Sequence, residues 1–457
     1  MAIELSNLTF TEQDDIVPVS GVEEIVNTGL ANTLAGNDKI TGTGTEYNLI
    51  GEPTGDGTGF YNIGTGFYNI GTLNTADGND TITGIHSPTD PYNSIGLDIK
   101  SYGILHKAGI IDTGNGNDLI TGISEARIYD GSRNNNFGIV ISSNSTLDTG
   151  KGNDIITGRG LDFGIINSGT IDTDDGNDLI TGTSGDRFGG SIVTSGLIDT
   201  GDGNDTITGT ATGTARSDVG LSSSGTIDTG NGNDIITAIG TRWGIENYGT
   251  IDTGNGDDSI IAEADSDPFL FGYTSIMNKG SINTGNGNDS IIFHGKFTNY
   301  GDIFNGNVFL GEGNDSIIAD VSLSNRRAIE NFSFIGTGNG DDIITSNGVI
   351  YNEGVINTGN GKDSLIADGG FEGIGYVFLE NGQDYLKGFG SGIFNGGNGQ
   401  DILELTSGSY TVGILGTTVN FTKGSIIMNT SEFEKLIAGN TTYSFNSLTN
   451  GQTIFVA

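Results

Sequence analysis

The 457-residue chain contains no cysteine, three histidines, five prolines and only 18 lysine and arginine residues. The absence of cysteine excludes disulfides, and three histidines are too few for zinc or copper sites built from histidine and cysteine. The scarcity of basic residues argues against nucleic acid as a partner, because phosphate binding requires clustered lysine and arginine. No apolar run approaches the roughly 18 residues of a membrane span. No basic segment with an apolar core opens the sequence, so a cleaved secretory signal is not expected.

Glycine and negative charge are abundant, with 80 glycines and a formal net charge of -39. Only 34% of the residues are hydrophobic, and low hydrophobicity with high charge usually indicates disorder. Ile, Leu, Val and Phe nevertheless recur at fixed offsets, as in repeat proteins whose units each bury a small apolar strip. The helical i, i+3, i+4 pattern is absent, and glycine is too frequent for helices. These features predict an all-β repeat protein.

A Gly-x-Asp step with Ile or Leu two residues after the Asp recurs fourteen times. Ten copies also have Gly four residues before the Asp, and the exceptions there are Leu34, Ala76, Asp174 and Glu380. The repeated aspartates are Asp38, Asp80, Asp118, Asp154, Asp178, Asp205, Asp234, Asp258, Asp289, Asp315, Asp342, Asp363, Asp384 and Asp401. Their spacing falls from 42 residues to 17, which indicates one fixed corner per coil and loops of variable length.

Residues 154–178 illustrate one coil. A strand leaves the corner, a loop and a second strand lead to an Asn-x-Gly or Ser-x-Gly turn, and a third strand returns to the next corner. Ile171 and Ile180 should point inward by the period-2 rule. The prediction is an all-β, parallel β-solenoid of the β-roll or β-helix type, with about fourteen coils. An N-terminal cap (1–28) precedes the repeats (29–404), and a β-rich C-terminal cap (405–457) follows them.

Stacked coils would align the fourteen corner carboxylates at about 4.8 Å, and an unneutralised column of this kind repels itself. Asp oxygens and carbonyls freed by the glycine turns form an oxygen-only ligand set, which favours Ca²⁺ over Mg²⁺. We therefore predict that all fourteen aspartates are metal ligands, with at most one Ca²⁺ per gap between coils. The alternative is that Asp and Asn serve only as turn formers. A second acidic position, six residues before the corner and typified by Asp112 and Asp148, is either an outer ligand or, preferably, a solvent-facing Asx ladder.

The corner resembles the RTX, or hemolysin-type, calcium-binding nonapeptide G-G-x-G-x-D-x-U-x, which GGNGQDILE at 396–404 matches in full. The resemblance covers roughly residues 32–404. In that family two nonapeptides make a short coil with calcium on both edges, whereas here the corner occurs once per longer coil. The resemblance implies calcium-dependent folding outside the cell and an uncleaved type I secretion signal in 405–457. In that segment, Ser431 with Glu434 matches a capping box, and Gly439 could end a short helix.

The favoured function is a secreted, calcium-binding structural protein at a bacterial surface or in its matrix, able to self-assemble into fibres. No enzymatic activity is predicted, since no compact acid–base cluster is visible. The alternatives are a polysaccharide-modifying solenoid and a polysaccharide-binding adhesin, for which the candidate residues are Arg127, Arg187, Arg216, Arg242, Trp243, Arg326 and Arg327. Ice binding by a threonine ladder is disfavoured, because Thr81/Thr83 and Thr206/Thr208 look isolated and no corner has Thr three residues before its Asp. The Asn-x-Gly edge is expected to face neighbours.

Overall fold

The chain folds as a parallel β-solenoid, which confirms the predicted fold class. The computed structural model describes residues 2–18, 23–45, 48–50, 61–88, 98–125, 134–185, 189–213, 218–264, 274–299, 307–321 and 326–457. Two compact units are present, Met1–Gly244 and Ile245–Ala457. Each described coil contributes up to three strands, which we name by their position relative to the corner Asp: post-corner, middle and pre-corner.

In the first unit, the strands of each sheet pair in parallel with their equivalents in adjacent coils. The post-corner strands are Ile16–Val17, Lys39–Gly44, Thr81–His86, Leu119–Ser124, Ile155–Gly160, Leu179–Ser184, Thr206–Ala211 and Ile235–Gly240. The middle strands are Ile3–Glu4, Ile25–Asn27, Tyr61–Asn69, Asp98–His106, Asn134–Ile141, Phe163–Asn167, Gly190–Thr194 and Val219–Ser223. The pre-corner strands are Leu30–Asn32, Thr72–Asn74, Gly109–Asp112, Ser145–Asp148, Thr170–Asp172, Leu197–Asp199 and Thr226–Asp228. Asn48–Ile50 pairs antiparallel to Tyr61–Asn69, Leu5–Asn7 is a 3₁₀ turn, and Trp243–Asn247 crosses the unit boundary.

The second unit repeats this plan. Its post-corner strands are Ser259–Ala264, Ser290–His294, Ser316–Asp320, Ile343–Ser346, Ser364–Ala367, Tyr385–Lys387, Ile402–Leu405 and Lys435–Ala438. Its middle strands are Thr274–Asn278, Phe297–Asn299, Arg327–Asn331, Val349–Asn352 and Phe371–Glu372. Its pre-corner strands are Thr250–Asp252, Ser281–Asn283, Asn307–Phe309, Phe334–Gly336, Val355–Asn357, Tyr376–Phe378, Gly392–Asn395 and Ile426–Ser431. Short bridges also join Asn360–Gly361, Asn381–Gly382 and Asn398–Gly399 at successive corners.

Each strand of a coil contributes one inward-facing position, often an isoleucine, to the core. In the coil that follows Asp154, the side chains of Ile156, Ile165 and Ile171 are fully buried. Their outward neighbours alternate with them, as the pleat of a half-buried strand requires. Ile171 and Ile180 are both buried, which confirms their predicted orientation. Because burying one such side chain contributes about 1.5–3 kcal/mol, this thin but continuous core supports a chain of low overall hydrophobicity.

The Asn-x-Gly turn joins the middle and pre-corner strands, and its asparagine lies inside the coil. Asn247 and Asn278 are fully buried, and the Asn247 amide donates to Asn278 Oδ1 at 2.9 Å. Asn247 Oδ1 also accepts the N–H of Gly249, two residues later. The amides of these asparagines thus satisfy backbone groups of their own and adjacent coils, and the expectation that this edge faces neighbouring molecules stays a prediction.

The C-terminal segment contains antiparallel strands rather than the expected short helix. Lys435–Ala438 is a strand that pairs in parallel with Ile402–Leu405 and then turns at Gly439 into Thr441–Ser444. The capping-box interpretation of Ser431 and Glu434 is wrong, because Glu434 instead occupies the next corner. The antiparallel strands Gly408–Leu415, Thr418–Lys423 and Thr453–Val456 continue the pre-corner sheet, and Phe445–Ser447 is a 3₁₀ turn.

Candidate metal centre

The two glycines of each corner meet two separate backbone requirements. In the corner that ends at Asp154, Gly150 has φ 66° and lies in the left-handed region that favours glycine. Gly152 has φ 154°, and a Cβ atom there would lie 1.4 Å from the carbonyl oxygen of Gly116 in the preceding coil. The first glycine therefore turns the chain, and the second allows two coils to stack in contact.

The four corners that lack the first glycine keep the same backbone. Leu34, Ala76, Asp174 and Glu380 have φ values of 67°, 61°, 55° and 67°. A left-handed conformation costs a residue with a Cβ atom about 1–2 kcal/mol. Stacking of the coils thus imposes the corner geometry even where the sequence disfavours it.

The corner carboxylates form a buried column in each unit. Every one of the fourteen aspartates is at most 2% exposed. Where the bond is described, Oδ1 accepts the backbone N–H of the corner Asp one coil earlier, over 2.6–2.9 Å. This bond fixes each carboxylate in register with the next coil.

In most of these carboxylates the second oxygen is buried without a protein partner. Oδ2 is buried and accepts no hydrogen bond in twelve of the corners: Asp38, Asp80, Asp118, Asp154, Asp178, Asp205, Asp289, Asp315, Asp342, Asp363, Asp384 and Asp401. Asp234 and Asp258, which are 0% and 1% exposed, occupy the same corner position. Buried polar atoms are nearly always hydrogen-bonded or ligated, so these Oδ2 atoms are chemically suited to ligate a cation.

Burial raises the pKa of the twelve aspartates whose Oδ2 has no partner. It raises the pKa from 3.8 to about 7 for Asp118, Asp178, Asp315 and Asp363. It raises the pKa to about 6 for Asp80, Asp154, Asp205, Asp289, Asp384 and Asp401. Neighbouring corner carboxylates add to this effect, as Asp80 and Asp154 do for the pKa of Asp118. The protein alone thus disfavours the charged form that a cation would require.

Two further corner residues, Asp15 in the first unit and Glu434 in the second, were not predicted from the sequence. Asp15 donates its N–H to Asp38 Oδ1 at 2.8 Å, directly before the paired strands Ile16–Val17 and Lys39–Gly44. Glu434 accepts the N–H of Asp401 on Oε2 at 2.7 Å. Two residues before these acidic residues stand Gln13 and Glu432 in place of the motif's glycine. The Gly-x-Asp motif therefore does not reveal either corner. The apolar residue two positions later, Val17 or Leu436, is the signal that was available.

A buried threonine supports the corner five residues before the Asp. Thr113, at this position, is fully buried, and its hydroxyl donates to the Thr149 carbonyl of the next coil at 3.3 Å. The same hydroxyl helps to lower the pKa of Asp118 against the larger effect of burial. In the structure this threonine cross-links coils behind the carboxylate column.

The acidic position six residues before the corner forms an Asx ladder. Oδ1 of Asp112 accepts the N–H of Gly114 at 3.0 Å, and Asp148 makes the same bond to Gly150. These carboxylates are half-buried on the pre-corner sheet and cap the start of the turn. Their role is accounted for without metal, in line with the preferred interpretation of the sequence.

The other candidate residues engage in local contacts or fall outside the described ranges. Arg242 lies over the Trp243 ring, 3.9 Å from its centroid, and Arg327 stacks on Tyr351 and pairs with Glu372. Arg127, Arg187 and Arg216 lie outside the described residues. Within the described ranges, no three Asp, Glu or His side chains converge on one point. A corner cation would therefore need backbone carbonyls in addition to carboxylates.

No protein-family model and no curated protein matches the chain. Among solved structures, the chain is similar to a crystal structure of a hyperactive, Ca²⁺-dependent, β-helical antifreeze protein from an Antarctic bacterium. The TM-score is 0.41 and the identity 18%, over 98% of this chain and 95% of that chain. In the described part of the chain, no helix has the length and apolarity needed to cross a membrane.

Proposed function

We propose that the chain is a calcium-binding structural solenoid in which the fourteen corner aspartates hold Ca²⁺ between coils. The observation that carries the proposal is the column of buried carboxylates, in twelve of which Oδ2 has no protein partner. Carboxylate oxygens and glycine-turn carbonyls form the hard, adaptable ligand set that Ca²⁺ accepts and that strictly octahedral Mg²⁺ does not. Calcium would supply charge neutralisation and cross-links between coils.

The energetics of the calcium-free state support this proposal. Raising a pKa from 3.8 to about 6 means that the ionised form costs about 3 kcal/mol on folding. Ten aspartates have shifts of this size or larger, so an unneutralised column strongly opposes folding near pH 7. The calcium-free chain is therefore expected to be largely unfolded at neutral pH, and metal binding supplies its folding free energy.

The expected calcium affinity suits an extracellular location. Extracellular modules with such ligands bind Ca²⁺ at about 10⁻⁴–10⁻³ M, far above cytosolic calcium. We propose that the chain is an RTX-like protein that is exported unfolded and folds at the bacterial surface or in its matrix. The domain boundaries at 28/29 and 404/405, and a type I secretion signal in 405–457, remain part of this proposal.

A structural role is preferred to a catalytic one, because the described coils are devoted to stacking and the corner chemistry is repeated rather than concentrated. Stacked coils joined end to end would give calcium-dependent fibres. A polysaccharide partner remains the alternative, with Arg242, Trp243 and Arg327 as its described candidate residues.

The test is a titration of the calcium-stripped full chain from EGTA to millimolar Ca²⁺, followed by circular dichroism and light scattering. We expect β-sheet signal to rise cooperatively with Ca²⁺ and not with equal Mg²⁺, and scattering to report assembly separately. A chain that is fully folded in EGTA at pH 7.5 and indifferent to Ca²⁺ would overturn the calcium proposal. Folding without any increase in scattering would overturn self-assembly only.

A further inference from the structure

One outward face of the first unit carries a column of threonines. In each of seven six-residue post-corner strands, the outward residue three positions after the corner Asp is Thr. These residues pair in direct register from coil to coil: Thr41, Thr83, Thr121, Thr157, Thr181, Thr208 and Thr237. All seven are half-buried on the outer surface of the sheet. The prediction that Thr83 and Thr208 are isolated is therefore wrong.

The residues that flank this column are also uncharged, with two exceptions. The seven strands have 21 outward positions, of which twelve are Thr and seven are Ile or Leu. The exceptions are Lys39 and Arg159, and no outward position is acidic or aromatic. The flanking residues include Leu119, Ile155 and Ile235, which are 36%, 39% and 41% exposed. Because the chain has a net charge of -39, a sheet face with no aspartate or glutamate at its outward positions is a distinct surface.

The hydroxyls of this column are not used to hold the fold together. Among the described residues, none hydrogen-bonds the side chains of Thr83, Thr121, Thr157, Thr181, Thr208 or Thr237. At the first strand, the Thr41 hydroxyl is buried without a partner, so the accessible column runs from Thr83 to Thr237. Each hydroxyl retains one donor and two acceptor sites, available to water or a ligand.

The equivalent face of the second unit shows that the solenoid does not require threonine here. The same position carries Ile261, Ile292 and Ile318 in the first three strands of that unit. Two residues further along, Glu263 and Asp320 introduce acidic groups that the first unit lacks. Because both units share the corner and the strand geometry, the threonine column cannot be explained by β-propensity alone.

The array repeats in two directions at fixed spacings. Neighbouring strands lie about 4.8 Å apart, and alternate residues along a strand are separated by about 6.6 Å. Identical groups on a rigid lattice suit a ligand that is itself periodic. A charged mineral surface is disfavoured because carboxylates are absent from the face. A crystalline polysaccharide is disfavoured because no aromatic ring is present to cover the apolar faces of sugar rings.

We propose that the threonine face of the first unit binds ice. Threonine hydroxyls donate to and accept from lattice water, and the adjacent methyl and aliphatic groups gain by removal of apolar surface from liquid water. This site is separate from the corner column, and calcium would act on it only by maintaining the fold. The proposal adds a ligand to the structural role proposed above.

The test measures thermal hysteresis, ice shaping and partition into a slowly growing ice front, using the folded, calcium-loaded full chain. Wild type is expected to be active by all three measures. A central double variant, Thr157→Tyr with Thr181→Tyr, should lose the activity because the new rings lift the face away from the ice. The matched control, Thr146→Tyr with Thr226→Tyr, changes half-buried outward threonines of the pre-corner sheet and should remain active.

Circular dichroism with and without calcium establishes that each variant is folded. As a second measurement, Thr181→Val keeps a methyl group and Thr181→Ser keeps the hydroxyl, and each should lower the hysteresis without abolishing it. A folded wild type without ice activity, equal loss in both double variants, or threonine-dependent binding to crystalline cellulose or chitin instead of ice would overturn the proposal. Calcium-independent folding with full ice activity would overturn the calcium proposal and leave this one intact.

Discussion

Replacing Asp178 by asparagine should have opposite effects on the calcium-free and calcium-loaded protein. Asp178 Oδ1 accepts the Asp154 N–H at 2.8 Å, which an asparagine carbonyl can also do. Oδ2 has no protein partner, and burial raises the pKa of Asp178 to about 7. The substitution therefore removes a buried charge while keeping the bond that sets the register.

The magnitude follows from the pKa shift. Near pH 7.5 without calcium, removing a carboxylate whose pKa has risen by about three units saves about 4 kcal/mol. The unpartnered amide N–H groups cost about 1–3 kcal/mol in return, which leaves a net gain of about 1–3 kcal/mol. With calcium at about 100 times its dissociation constant, each lost ion removes about 2.7 kcal/mol, so Asp178→Asn should then be the less stable protein.

The pH dependence has a defined sign. Because the folded-state pKa is raised, the stability contributed by protonated Asp178 is fully present below about pH 4 and is lost as pH rises through about 7. The advantage of Asp178→Asn in EGTA should therefore vanish near pH 4 and grow towards neutral pH.

Urea denaturation followed by circular dichroism measures both effects, in EGTA from pH 4 upwards over the range in which the chain stays folded, and in millimolar Ca²⁺ at pH 7.5. The matched control is Asp172→Asn, a half-exposed Asx-ladder residue whose bond to the Asp174 N–H survives the change. Equal destabilisation of Asp178→Asn with and without calcium would refute the reasoning.

Three further predictions concern the backbone and the buried amides of the coils. Gly152→Ala should lower stability by about 3 kcal/mol or more, since its Cβ would overlap the Gly116 carbonyl; calcium-loaded urea denaturation tests this, with Gly185→Ala, whose Cβ would meet nothing closer than 3.7 Å, as the neutral control. Ala76→Gly should raise the thermal midpoint by relieving about 1 kcal/mol of left-handed strain at φ 61°, and an unchanged or lower midpoint would contradict this. Asn331→Ala should cost about 1–3 kcal/mol by leaving the buried Asn352 Oδ1 without its 2.9 Å donor, and a neutral result in calorimetry would count against the buried amide ladder.

The corner was predictable from sequence because its chemistry is local. Gly-x-Asp followed two residues later by Ile or Leu specifies a turn, a carboxylate and an inward anchor within five positions, and all three appear as expected at Asp154. The inward placement of Ile171 and Ile180 followed from strand alternation alone. The orphaned Oδ2 atoms were not predictable, because they depend on how neighbouring coils share hydrogen bonds.

Features defined by register between distant coils were harder to predict. Thr83 and Thr121 are 38 residues apart in sequence but are paired neighbours on one sheet. Coils of unequal length conceal such columns unless every position is aligned on the corner. The prediction at Glu434 failed for the opposite reason. The local sequence matched a helix-capping pattern, but stacking against Asp401 makes that segment another coil.

The central claim is that the buried aspartate column is a series of calcium sites. The most direct measurement is a crystal structure of the full chain grown in millimolar Ca²⁺, with anomalous scattering used to locate the ions. The account predicts ions at the corners, each within about 2.3–2.6 Å of an Asp Oδ2 atom, repeating from coil to coil. Well-ordered corners without ions, or ions found only on the half-buried carboxylates of the Asx ladder such as Asp112 and Asp148, would contradict it.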